Sequence, residues 1–128
     1  MSEPSTAVHL DHISQIAITV SDLARAKLFY QHALGMQFLF DAGTMAFFQC
    51  GAVRVLIGVT DQPLAPSTTI LYFKVPGIDS AYASLLAGGV TFPQPPHLVA
   101  RMPDHELWLA EFMDPDGNPL ALLTEKRS

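Results

Sequence analysis

From residue 13 to residue 20 the chain alternates, with Ile16, Ile18 and Val20 set against Gln15, Ala17 and Thr19. A period of two marks a strand with one dry face. The period then changes: Leu23, Ala26, Phe29, Tyr30, Ala33 and Leu34 recur at helical spacing, Asp22 stands where a helix N-cap belongs, and Gly35 follows the last apolar residue. Strands are predicted at about 36–41, 44–50 and 53–59, with turns at Ala42-Gly43 and Gly51-Ala52. Residues 60–68, with Pro63, Pro66 and Ser67, read as a connector. The second half predicts a strand at 69–75, a helix at 78–87 and strands at 90–93, 107–113 and 119–124. A segment from Pro93 to Glu106, rich in proline, reads as an inserted loop.

The halves are copies. Ile18-Thr19-Val20-Ser21-Asp22-Leu23, Ala26 and Leu34-Gly35-Met36-Gln37-Phe38 return as Tyr72-Phe73-Lys74-Val75-Pro76-Gly77-Ile78, Ala81 and Gly88-Gly89-Val90-Thr91-Phe92, so that Val20 falls on Val75 and Gly35 on Gly89. Each copy is a βαβββ unit whose apolar sheet face must be buried against its twin or around a ligand. The fold expected is therefore α+β, two βαβββ repeats (about 12–60 and 69–126) forming a cupped mixed sheet with helices on the outer face. Residues 1–11 are polar and unpatterned, a loose N-terminal tail, and residues 12–126 form one domain.

Composition narrows the function. A chain of 128 residues with 49% hydrophobic and 15% charged residues is a globular domain. A formal charge of −5 with seven scattered basic residues excludes a nucleic-acid surface, which requires a clustered basic stripe. No apolar run approaches a membrane span, the start lacks a signal peptide, and the single cysteine, Cys50, suits a reducing compartment, so the expected location is the cytoplasm.

The repeat, its opening residues Ile18 to Leu23 with Ala26, Phe29-Tyr30 and Leu34-Gly35, and the turn Asp114-Pro115-Asp116-Gly117-Asn118 before the last strand together resemble the vicinal oxygen chelate superfamily. That group comprises the glyoxalases, bleomycin-resistance proteins and extradiol dioxygenases, and the resemblance spans about residues 12–126. It implies a cup built from two curled sheets, with metal ligands at four equivalent strand positions. Those positions fall on Gln15, Leu56, Ile70 and Ala121, of which only Gln15 can ligate an ion. The resemblance thus implies the cup without its usual metal, and no cofactor is expected. It also implies a homodimer, to which the apolar segment Ile70-Leu71-Tyr72-Phe73 contributes little polar cover.

Strand parity carries Arg54, Gly58, Tyr72 and Lys74 to the same face as the vacated metal positions. Arg54 is a candidate clamp for a carboxylate or phosphate, against the alternative that it snorkels into solvent from a sheet edge. The segment 93–106 and the strand after it offer His97, His105, Trp108 and Glu111: His105 and Glu111 as candidate acid/base groups, His97 and His105 as a conceivable relocated metal pair, and Trp108 with Met102 as either a lid or plain core. The ligand-binding candidates are Gln15, Arg54, Tyr72, His97, His105 and Trp108. Three functions compete: a metal-free cup that binds a small organic ligand, a lyase or dioxygenase-type enzyme with a relocated metal or acid/base site, and a cup filled by its own side chains whose surfaces do the work.

Overall fold

In a computed structural model, which describes residues 8–62 and 67–127, the chain forms two four-stranded sheets with few helices. The first unit comprises β1 (Gln15–Val20), α1 (Leu23–Lys27), β2 (Gln37–Ala42), β3 (Met45–Cys50) and β4 (Val53–Val59); the second comprises β5 (Leu71–Lys74), α2 (Ile78–Ala87), β6 (His97–Arg101), β7 (His105–Met113) and β8 (Pro119–Arg127). The strand orders are β1-β4-β3-β2 and β5-β8-β7-β6, the same pattern twice. In each unit the helix carries the chain from the first strand across to the far edge of the sheet, two antiparallel hairpins bring it back, and the last strand lies parallel to the first. The fold is α+β with a repeated βαβββ unit, as the periodicity predicts.

Asp22 caps α1, its carboxylate accepting the Arg25 backbone N–H at 3.0 Å. The expected single helix instead changes pitch at Leu28 and continues as a π-helical segment, Leu28–Ala33, in which the Leu34 N–H reaches the Phe29 carbonyl at 2.9 Å. Gly35 then adopts φ +75°, which a glycine tolerates without strain, and turns the chain into β2. Gly89, its counterpart after α2, has φ +95°.

Two expectations for the second half are corrected. No strand forms at 90–93, and half of the segment from Pro93 to Glu106 is strand: His97–Arg101 is β6, pairing antiparallel with β7 through a tight hairpin closed by the Met102 N–H on the His105 carbonyl at 2.8 Å. The prolines misled because Pro93, Pro95 and Pro96 stand before the strand and Pro103 stands in its turn, where a missing N–H removes no ladder bond. β6 repeats β2 down to an irregularity: the register shifts between Leu98 and Ala100 as it does between Phe38 and Phe40.

One continuous core lies between the sheets and the helices. Ile18, Val20, Ala46, Phe48, Val55 and Ile57 of the first sheet, and Ala110, Phe112, Leu120 and Leu122 of the second, are buried with Ala26 and Tyr30 of the first helical stretch and Ile78 of α2. The opposite face of each sheet carries no helix. The predicted tail falls partly on residues 1–7, outside the described residues; residues 8–11 belong to no regular element.

Candidate functional site

Strand alternation fixes what the helix-free faces carry. On the first sheet, Gln15 pairs with Arg54, which pairs with Gln49, which pairs with Gln37, giving one wholly polar row. The next row is Ala17, Leu56, Phe47 and Phe40, where the rings of Phe40 and Phe47 stack with centroids 4.6 Å apart. The Arg54 guanidinium carbon lies 5.9 Å from the centroid of Phe47, linking the two rows. On the second sheet, one row runs His97, Leu109, Leu123 and Lys74, and the next runs Glu111, Ala121 and Tyr72. Ala121 is fully buried between its larger neighbours, while Tyr72 is 49% exposed. These faces are open, and neither of two clefts in the chain is bounded by Gln15, Arg54 and Tyr72. The first, about 640 Å³, lies along β1 from Ile16 to Thr19, against Leu71 and the Asp116–Leu120 turn; the second, about 540 Å³, lies between α2 and the β3–β4 turn.

Two candidates distant in sequence come together. His97 Nε2 is 3.3 Å from Glu111 Oε1, and its Nδ1 is 3.3 Å from the Pro95 carbonyl. An Nδ1–H donating to that carbonyl leaves Nε2 facing the carboxylate, so a proton on Nε2 joins ring and acid, and its loss leaves a lone pair beside a negative charge. Both side chains are partly exposed, so the contact is open to solvent. His105 does not join it. It occupies the hairpin tip, where Nδ1 donates to Asp104 at 2.7 Å; that hydrogen bond holds the Asp104 carboxyl below its usual range, and Arg127 approaches the same carboxylate at 2.7 Å. Since His97 pairs with Leu109, four residues from His105, the two imidazoles are separated by about 13 Å of strand and cannot share an ion.

Trp108 does not line the open face. It falls on the helix-facing side with Ala110 and Phe112, packs against the core, donates from Nε1 to Glu106 at 3.1 Å and lies 4.0 Å from Lys126 Nζ. Counting back in twos from Phe112 identifies that side from sequence alone.

The donor set does not fit the superfamily's metal. Of the four equivalent positions only Gln15 offers an oxygen; Leu56, Ile70 and Ala121 present hydrocarbon. Among the described residues no three His, Cys, Asp or Glu side chains gather to hold an ion.

The turn before β8 performs a structural task. Asp114, 5% exposed, accepts the backbone N–H groups of Asp116 and Asn118 at 2.9 Å each on one oxygen, and Asn118 Nδ2 and the Tyr30 hydroxyl at 2.7 Å each on the other. Burial, reinforced by the Asp114 charge, drives the Tyr30 phenol far above its usual pKa and keeps it a donor. Asn118 Nδ2 also donates to the Thr19 carbonyl, and Asp116 accepts from Ser21 and Arg25, so this turn fastens the second unit to β1 and α1.

Two βαβββ units with helices on one side and open faces on the other define the class of two-module cup proteins. The chain belongs to the Glyoxalase/Bleomycin resistance protein/Dioxygenase superfamily, whose model matches residues 9–122. Solved structures share the fold. A superfamily member from Sphaerobacter thermophilus is 26% identical with a TM-score of 0.71, covering 91% of this chain and 98% of its own. A glyoxalase/bleomycin resistance protein/dioxygenase from Nocardioides is 20% identical with a TM-score of 0.75, covering 94% and 87%. A lactoylglutathione lyase from Agrobacterium tumefaciens is 20% identical with a TM-score of 0.70, covering 89% and 93%. No curated protein matches the chain. No helix among the described residues is long and apolar enough to cross a membrane.

Proposed function

We propose that this protein binds a small organic molecule on the helix-free faces of its sheets, without the superfamily's metal, and that a second copy of the chain covers the site. The observation that carries this reading is the content of those faces: a polar row beside a stacked aromatic pair on one sheet, and Tyr72 around a buried Ala121 floor on the other. A few polar groups set in apolar surface is how small-molecule sites are built. Tyr72 and Met113, at 49% and 53% exposure on the helix-free face of the second sheet, with Ile70 just before β5 at 38%, supply apolar area that pairing would remove from water. The unpaired Cys50 supports a reducing compartment such as the cytoplasm. Light scattering at micromolar concentration should give the mass of two chains. A single-chain mass at every concentration would remove the cover, and with it the enclosed site.

A second reading is favoured by the 3.3 Å contact between His97 and Glu111: an acid/base enzyme of lyase type that moves a proton on the bound molecule. Glu111→Gln would then abolish turnover while leaving binding intact.

A further inference from the structure

Seven basic side chains share this chain with twelve acidic ones, so a cation without a carboxylate partner is not short of candidates. Five are paired: Arg25 with Asp116, Lys27 with Asp41, Arg101 with Glu106, Lys126 with Asp79, and Arg127 with Asp104 and Glu125. The two that contact no carboxylate among the described residues are Arg54 and Lys74, and both stand on helix-free faces, one on each sheet. The rows around Arg54 on the first sheet hold no acid, whereas Glu111 and Glu125 share the helix-free side of the second sheet with Lys74. An acidic protein therefore presents an unneutralised cation, Arg54, on the uncovered face of its first sheet.

The surroundings of Arg54 narrow the chemistry further. Gln15 and Gln49 flank it across the strands and add amide donors, while the Phe47 and Phe40 rings and Leu56 lie in the adjoining row. A planar guanidinium matches the two oxygens of a carboxylate or phosphate, and the aromatic row suits a flat apolar body attached to it. We infer that the ligand of these faces is an aromatic organic anion, a carboxylate or phosphate ester, whose charged head sits on Arg54. This rests on the reading of the helix-free faces as the binding site and reverses the cationic preference that the net charge alone would suggest.

Benzoate, benzamide and benzylamine, nearly equal in size but anionic, neutral and cationic at pH 7, separate the two ideas when titrated into the full chain under protein-observed NMR. Benzoate should bind about five- to tenfold more tightly than benzamide, and benzylamine more weakly than either. The preference should fade with added salt, collapse in Arg54→Gln, and survive in Lys126→Gln, whose cation is already paired. Equal binding of benzoate and benzamide, or benzoate binding indifferent to Arg54→Gln, would overturn the anion assignment and leave the binding site standing. Absence of binding by all three at millimolar concentration, with both variants well folded, would overturn the site as well.

Discussion

Tyr30→Phe isolates the buried one of the hydrogen bonds that tie one repeat to the other. The ring is fully buried and its hydroxyl donates at 2.7 Å to Asp114, a residue of the second unit. The substitution leaves ring burial unchanged and removes one donor from a carboxylate that keeps three: Asn118 Nδ2 and the backbone N–H groups of Asp116 and Asn118. A hydrogen bond to a charged group contributes about 1.5–3 kcal/mol, and the remaining donors place this loss at the low end, about 1.5–2 kcal/mol, or about 6–8 °C in melting temperature for a chain of this size. Asp114→Ala strands four donors, the Tyr30 hydroxyl among them, and should cost about 3–5 kcal/mol. The informative quantity is the coupling. In the Asp114→Ala background Tyr30→Phe should cost nothing or restore stability, because it removes a hydroxyl left without an acceptor. Urea unfolding followed by circular dichroism at one fixed protein concentration measures all four states. A Tyr30→Phe loss below about 0.5 kcal/mol, or an equal loss in both backgrounds, would refute this account of the junction.

Asp116 supplies a pH test. Burial alone would raise its carboxyl, but hydrogen bonds from Ser21 and the Arg25 charge outweigh that and hold it below the ordinary aspartate value of about 3.9. The folded state thus binds fewer protons than the unfolded state, so the contribution is fully present above about pH 4 and is lost as pH falls through the lower folded value; Asp116→Asn should flatten the acid limb of the stability curve, and an unchanged limb would count against the assignment. Because Leu56, Ile70 and Ala121 offer an ion no donor, a chelator should leave the melting temperature unchanged; elemental analysis finding one transition ion per chain would contradict this.

The fold was legible because burial imposes a period, and the periods of the two halves agree. Parity alone carried Gln15, Arg54 and Tyr72 to the side away from the helices, where they lie. Parity failed where chemistry masked it. β6 is a short strand of mixed polarity bracketed by prolines, and its register shift at Val99 breaks the alternation that would have revealed it. The pairing of His97 with Glu111 was hidden for the same reason: it depends on a hairpin register that no local pattern contains. Trp108 was readable as lid or as core, and its parity with Phe112 marks the helix-facing side, where it packs against the core.

The duplication provides an internal control on which residues the fold dictates. The ladders align Ile16 with Leu71, Ile18 with Phe73, Ala46 with Ala110, Phe48 with Phe112, Val55 with Leu120 and Ile57 with Leu122, and every one of these helix-facing pairs is apolar in both copies. The same ladders align the helix-free positions Ala17 with Tyr72, Arg54 with Pro119, Leu56 with Ala121, Phe47 with Glu111 and Gln49 with Met113, and there most pairs differ in charge, polarity or ring content. One backbone thus constrains one side of each sheet to a single solution and leaves the other side free. Packing against α1 and α2 explains the first set, since a polar atom buried there needs a partner, and the polar replacement Thr124, where the first copy has Val59, finds it in the Val75 carbonyl at 2.6 Å. It does not explain the second, where Arg54 has taken a place that Pro119 fills in the other copy. Those side chains are free of packing demands, so under the proposed function the ligand or second copy at those faces is what would select them.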